Sequence, residues 1–277
     1  MDTDIIIGDE TELHVRLARD ISEIEAAQHL RYKVFYEEYN AQPSPETLKT
    51  QLDVDEYDSV SDHLIVIDPS LDDDKRIVGT YRLIQQGRAD KFYSSQEFNV
   101  EKLEETGAHL LEMGRSCVLE PYRTRHVLQL LWQGIAHYVF DNNIGLMFGC
   151  ASLHGTDPET LTDELSYLYH YHLAPPALRP EALPEVFTNM NLKPSKEINV
   201  KQTFQKLPPL VKGYLRAGSM IGKGAYIDHQ FNTIDVCIVL PTAFVSERYI
   251  KHYERLTGKT VSPDILNLFT KYSTRTA

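Results

Sequence analysis

Apolar residues recur along this chain at two spacings. From Ile21 to Tyr39, the residues Ile24, Ala27, Leu30, Val34 and Phe35 fall at the three- and four-residue steps of a helix, with Asp20 or Ser22 placed to cap its start. HLIVIDP and RIVGTYRLIQ are short runs rich in β-branched residues, joined by the acidic turn SLDDDK, and they predict a hairpin. A short strand, His14 to Ala18, precedes the helix. His109 to Leu119 reads as a buried strand, TRHVLQLLWQGIAHYVFDNN as a helix of about five turns, and LMFGCASL as the next buried strand. Strand, helix and strand in that order predict a mixed sheet with helices on both faces. PETLTDELSYLYHYHL predicts a further helix. The Pro-rich connector from Pro175 to Pro209 predicts an excursion over the core, AYIDHQF and TIDVCIVLP two closing strands, and SERYIKHYERLTG a C-terminal helix.

Composition narrows the function classes. The chain has 277 residues, 42% hydrophobic and 25% charged, an ordinary globular balance. No stretch approaches the roughly 20 apolar residues that span a bilayer, and MDTDIIIGDE has no basic segment ahead of an apolar one, so a cytoplasmic protein is expected. A net charge of -12 argues against nucleic-acid binding. It also requires any acidic partner to dock on a local basic patch. Cys117, Cys150 and Cys237 sit in apolar runs and predict buried free thiols, with no histidine beside any of them to make a nucleophile.

The candidate chemistry begins in LEMGRSCVLEPYRTRH. Glu112 and Arg115 lie three apart in a strand, and should point to opposite faces. A β-bulge at Gly114 would turn both into one cleft; a strand-end ion pair is the alternative. Arg31 and Phe35 share a helix face, extended by Tyr39. Asp55 and Asp58 flank Tyr57 in an acidic loop, either as binding groups or as solvated surface. Arg82 stands among apolar residues in GTYRL, where a guanidinium needs an anionic partner. The two histidines of YHYH, from Tyr169 to His172, have no further ligands at metal spacing, so no metal is expected. Asp228 and Asp235 bracket QFNT, where a turn role is the simpler reading.

The order Arg31-xxx-Phe35, Asp55-Glu-Tyr-Asp58, Arg82, Glu112-xx-Arg115 resembles the acyl-homoserine-lactone synthases, which have the GNAT fold, although no Trp follows Phe35 shortly. A longer resemblance covers nearly the whole chain. LRYKVFYEEYNA, DHLIVID, VGTYRL, FYSSQEF, LEMGRSCVLEPYRTRHVLQLLWQGIAHYVF, MFGCASLHGTDP, LAPPALRP, LPPLVKGYLRAG and IDHQFNTIDVCIV are similar to the L-ornithine Nα-acyltransferases. The resemblance implies an α+β, three-layer α/β/α GNAT-like sandwich, with a mixed sheet whose fourth strand is bulged, a helical and Pro-rich excursion, and a C-terminal helix. It implies one domain over residues 1–277: a core of about 12–240, the excursion at about 172–209 and a helical tail at about 245–277.

It also implies a reaction. A 3-hydroxyacyl chain would pass from the phosphopantetheine thioester of acyl carrier protein to L-ornithine, giving lyso-ornithine lipid, with no bound cofactor. The α-amine has the lower reference pKa, about 7.7 to 8.0 against 10.4, and is the expected nucleophile. Glu112 is the expected general base, Arg115 its support, and backbone N–H groups near the bulge the oxyanion donors. Arg31 and Arg82 suit the substrate carboxylate, and Asp55 and Asp58 the δ-ammonium. Phe35, Leu130, Trp132 and Phe148 are available to line the acyl channel. Acetyl-CoA users of this fold place glycines in the turn that holds a diphosphate, whereas Arg123-Thr-Arg-His126-Val-Leu128 has none, which favours the single phosphate of a carrier protein. Arg123, Arg125, His126, Lys212 and Arg216, with Lys206 and Lys223, would form the dock for that acidic carrier. An amphiphilic product implies transient contact with the inner membrane and a following O-acyltransferase. The alternatives left open are a lactone-type signal synthase, an N-acyltransferase for glutamine, lysine or glycine, and a silent acyl-carrier-protein or lipid binding module.

Overall fold

In a computed structural model, residues 6–72, 75–245 and 247–269 are described; part of the SLDDDK turn and the end of the C-terminal tail lie outside them. Nine strands form the central sheet: β1 (Ile6–Ile7), β2 (His14–Leu17), β3 (Asp62–Ile67), β4 (Ile77–Gln85), β5 (Leu110–Val118), β6 (Leu146–His154), β7 (Met220–Ile221), β8 (Tyr226–Asp228) and β9 (Thr233–Pro241). Their order is β1-β2-β3-β4-β5-β6-β9-β8, with β7 paired to the end of β9. Among these nine strands only β5 and β6 pair in parallel; every other strand-to-strand ladder is antiparallel. The connection between that parallel pair is the helix α2 (Arg125–Asp141), as the strand-helix-strand pattern predicts. Because the two-residue β1 adds an edge, the bulged strand is the fifth of the central sheet in chain order.

Side-chain alternation divides the sheet into two faces. Leu64 and Val66 of β3 turn toward α2 and join Val127, Leu131 and Ile135, while Ile65 and Ile67 turn the other way, onto Ala27, Leu30 and Val34. Burial of each such aliphatic side chain contributes roughly 1.5–3 kcal/mol, so neither layer is dispensable. The first helix, α1 (Ile21–Tyr32), is capped by the Asp20 carboxylate, which accepts the Glu23 N–H. The sequence predicts that it runs unchanged to Tyr39. Residues Lys33–Glu38 are instead a π-helix, in which the Tyr39 N–H reaches back to the Val34 carbonyl. That wider coil turns Val34, Phe35 and Tyr39 into the same space, a device often found at functional sites.

Beyond the sheet come α3 (Thr162–His172), a run of short elements across the Pro-rich segment, α4 (Pro209–Ala217) and α5 (Glu247–Thr257). Within the excursion, Glu181–Ala182 pairs with Phe98–Asn99, tying it to the mixed segment that follows β4. Among the described residues no helix is long and apolar enough to cross a membrane.

Candidate active site

The parallel pairing of β5 with β6 lasts from Leu110–Leu146 to Glu112–Phe148 and then stops. At the point of separation Gly149 lies against the Met113 carbonyl so closely that a Cβ there would stand 2.2 Å from the oxygen. A cavity of about 340 Å³ opens between the parted strands. Its apolar lining includes Tyr81, Met113, Leu131, Leu210 and Tyr214, which belong to the α2 side of the sheet, and Val34 from the other side. Its charged lining includes Arg82, Glu112, Arg115, Asp228 and Asp235.

The bulge in β5 falls one residue later than Gly114. Register against β4 shifts between Arg82–Gly114 and Thr80–Cys117, and Arg115 itself adopts φ 50°. A left-handed non-glycine residue is strained and persists where its surroundings hold it. Here the guanidinium lies between the rings of Tyr93 and Phe231, at 4.8 and 4.7 Å from their centroids. Gly114 has a different use. Nothing lies within 4 Å of where its Cβ would be, so its bare backbone leaves the cavity open opposite Arg82.

Three guanidiniums meet three carboxylates beneath this lining. Arg31, 0% exposed, donates to Asp53 Oδ2 at 2.8 Å and spans both oxygens of Asp58 at 2.8 and 2.9 Å. Arg82 pairs with Asp55 at 2.5 Å and lies 3.5 Å from Asp58. Arg115 pairs with Asp53 at 3.2 Å and with Asp55 at 3.1 Å, and the Tyr36 hydroxyl donates to Asp53 at 3.1 Å. Burial pushes the Asp58 carboxyl up, but the Arg31 and Arg82 charges outweigh it and hold it down to about 2. Asp55 and Asp58 are therefore already bound to guanidiniums, and Arg31 is enclosed. Arg82 and Arg115 differ from Arg31 in lining the cavity; the Arg82 Nε is buried without a hydrogen-bond partner, whereas the Arg115 Nε is the atom that faces Asp53 at 3.2 Å.

Glu112 and Arg115 line the same cavity but do not pair with each other. The Glu112 carboxylate accepts the backbone N–H groups of Tyr93 at 2.7 Å and Ser94 at 2.6 Å, and also the Ser94 hydroxyl. Those donors open the short turn Tyr93–Gln96. Burial raises the Glu112 pKa; the Ser94 hydroxyl and the two N–H groups pull it back only in part. The Ser94 hydroxyl also receives the Cys150 thiol at 3.3 Å, and that thiol lies 3.1 Å from Glu97 Oε2. Among the described residues, Glu97, Cys150 and Asp235 form the one group of possible metal ligands, their ligand atoms all within 4.8 Å of one another. Burial, then the charges of Glu97 and Asp235, keep the Cys150 thiol well above its ordinary pKa. With its proton held, it is not a nucleophile.

Comparison with known proteins places this geometry. An acetyltransferase (GNAT) domain model matches residues 30–133. An L-ornithine Nα-acyltransferase of Rhizobium meliloti is 43% identical over 93% of this chain and 90% of its own, and one of Brucella abortus 44% identical over 90% and 91%. The chain belongs to the L-ornithine Nα-acyltransferase family. It is an acyltransferase with a GNAT-like fold. Among solved structures, a CoA-dependent acyl-homoserine lactone synthase aligns at 13% identity with a TM-score of 0.47, over 87% of this chain and 85% of that one.

Within this acyltransferase the apolar lining differs from the sequence expectation. Phe35 lines the cavity, but Leu130, Trp132 and Phe148 do not: Phe148 packs edge-on against Phe92 in the core, and Trp132 against Tyr214. Facing outward at the mouth, Arg123 pairs with Glu38 and lies over the Tyr39 ring, while Arg125 and His126 are exposed on the first turn of α2, which Thr124 caps. Pro208, Pro209 and Leu210 bring the start of α4 to the same opening; Lys212 bonds the Gln205 carbonyl and Arg216 lies over Phe204. Lys206 and Lys223 are tied elsewhere, to Asp163 and Glu181. Sequence reasoning missed Asp53, Ser94 and Glu97. Asp53 stands in the acidic run beside Asp55, so its signal was present; Ser94 and Glu97 lie in a mixed segment with no periodicity to place them. Asp228 does hold a turn, accepting the Gln230 and Phe231 N–H groups. Asp235 does not: it is mid-strand, opposite Ser152, and faces the cavity.

Proposed function

We propose that this acyltransferase moves a 3-hydroxyacyl chain from acyl carrier protein to the α-amine of L-ornithine, giving lyso-ornithine lipid. The observation that carries this reading is the cavity itself, its lining part apolar and part charged, open where β5 and β6 part. An acyl chain fits against Tyr81, Met113, Leu131 and Tyr214. The amino acid fits against the charged residues of the lining, its carboxylate facing the guanidiniums of Arg82, whose Nε has no hydrogen-bond partner, and Arg115.

The neutral α-amine attacks the thioester carbonyl, the C–N bond forms and the C–S bond breaks. Glu112, directly or through water, takes the proton the nitrogen loses, and the departing thiolate is protonated. Peptide N–H groups of β5 beyond Glu112, where pairing with β6 has ended, are placed to receive the negative charge on the carbonyl oxygen. A carrier-protein donor is supported by the glycine-free turn from Arg123 to Leu128 and by the exposed Arg123, Arg125 and His126 beside the opening, with Lys212 and Arg216 on α4. The product, an acyl chain on a zwitterionic head, belongs at the inner face of a membrane, where an O-acyl transfer to its hydroxyl would follow.

The test is a comparison of donors. One 3-hydroxyacyl group is presented on acyl carrier protein and on free CoA, with L-ornithine saturating. The carrier-protein thioester should give the far higher kcat/KM, and Arg125→Ala should reduce that advantage. Equal efficiency with the two donors would contradict the assignment.

A further inference from the structure

The acids along the cavity divide into two groups. Asp53, Asp55 and Asp58 are matched by Arg31, Arg82 and Arg115. Glu97 and Asp235 have no Lys or Arg within ion-pair distance among the described residues, although they lie side by side and are only 4% and 6% exposed. Asp235 lines the cavity, and its buried Oδ1 has no hydrogen-bond partner; the Ser152 and Thr233 hydroxyls are the uncharged donors near enough to pull on the carboxyl.

A buried oxygen left in that state is costly unless a ligand supplies the missing donor. Two neighbouring carboxylates ask for a cation that donates several hydrogen bonds, with the Thr233 hydroxyl free to accept or donate. A primary ammonium does so with three N–H groups. A metal ion would have to displace the thiol proton that Cys150 directs at Glu97, whereas an ammonium leaves it in place. Arg82 and Arg115 also line the cavity, and the Arg115 charge acts on both Asp235 and Glu97, so the lining offers positive as well as negative groups.

Resting on the reading of L-ornithine as acceptor, we propose that Asp235, supported from behind by Glu97, binds the side-chain ammonium of a diamino acid and so sets the preference for it over neutral amino acids. The Asp55–Asp58 pair, held by guanidiniums and outside the cavity lining, does not perform that task. The arrangement also explains why two acids are buried together. Burial pushes the Asp235 carboxyl up to about 6 against the pull of the Ser152 hydroxyl, and burial and Asp235 push Glu97 well up, a cost that a bound ammonium removes.

The experiment compares L-ornithine with L-norvaline, which lacks only the terminal amine, using one acyl-carrier-protein donor. Wild-type enzyme should strongly prefer ornithine. In Asp235→Asn the ornithine-to-norvaline ratio of kcat/KM should fall about 10- to 100-fold, the range of a hydrogen bond to a charged group. Glu97→Gln should lower the ratio less, and it answers the question if Asp235→Asn does not fold. An unchanged ratio in both variants overturns the proposal, and so does an equal loss with both amino acids. Wild-type enzyme that acylates the two equally overturns it while leaving acyl transfer intact; acylation of neither overturns the ornithine reading along with it.

Discussion

Replacing Glu112 by Gln changes one oxygen to an amide group in a place that has no use for a donor. Both carboxylate oxygens accept backbone N–H groups, Oε2 from Tyr93 at 2.7 Å and Oε1 from Ser94 at 2.6 Å. Whichever way the Gln amide is turned, its NH₂ faces one of those N–H groups. A lost hydrogen bond to a charged acceptor is worth about 1.5–3 kcal/mol. Part of that returns, because the neutral side chain no longer bears the burial cost that raises the Glu112 pKa. A net loss of about 1–2 kcal/mol should lower the melting temperature by roughly 2–8 °C. The rate should fall further: without a proton acceptor, kcat drops by about 10²- to 10⁴-fold. Stability alone therefore does not distinguish a base from a structural acid, and Ser94→Ala supplies the contrast. It leaves both N–H groups in place and removes one bond that favours the ionised form. It should retain activity, with the acidic limb of the kcat/KM profile moved to higher pH. Thermal unfolding and a steady-state pH profile on the same preparations read both quantities. Wild-type kcat in the folded Glu112→Gln enzyme would remove Glu112 from the mechanism.

Three further outcomes follow from the same geometry. Asp58→Asn leaves the enclosed Arg31 short of a countercharge and should cost about 3–5 kcal/mol by denaturant unfolding; a raised KM for ornithine at unchanged stability would mean that Asp58 touches substrate instead. Gly149→Ala would put a Cβ 2.2 Å from the Met113 carbonyl and should force β5 and β6 further apart, read as a large drop in melting temperature, whereas an unaltered melt would show that the strands are not so close. Because the folded Asp235 binds its proton more tightly than the unfolded chain does, its contribution is lost as pH rises from about 3.8 to about 6; without substrate, Asp235→Asn should flatten the stability-pH curve in that window, and it should also let Glu97 titrate at lower pH by removing the neighbouring charge.

The layers of the fold were legible because periodicity is a local signal. Apolar alternation placed the hairpin, β5, β6 and β9 within a residue or two, and the Asp20 cap fixed the start of α1. The π-helical turn after Tyr32 was not legible: its wider hydrogen bonding leaves the apolar spacing of Val34 and Phe35 close to helical. The bulge was expected for the right reason at the wrong residue, since Arg115 takes the left-handed backbone that Gly114 would accept more cheaply, held there by Tyr93, Phe231 and two aspartates. The charged residues were identified as a set, but their partners were not. Arg31 and Asp58 are 27 positions apart and Arg115 and Asp55 are 60, and nothing along the chain says which acid meets which base. Ser94 and Glu97 reach the site from a segment without pattern, and Asp235 was masked by the turn beside it.

Acyl transfer itself is tested most directly by mass spectrometry of a single reaction. Purified enzyme, 3-hydroxyacyl-[acyl carrier protein] and L-ornithine should yield one new species, ornithine joined to the acyl chain, with fragmentation placing the amide on the α-nitrogen and the carrier recovered as free thiol. An amide on the δ-nitrogen, or a thioester that stays intact in the presence of ornithine, would contradict the account.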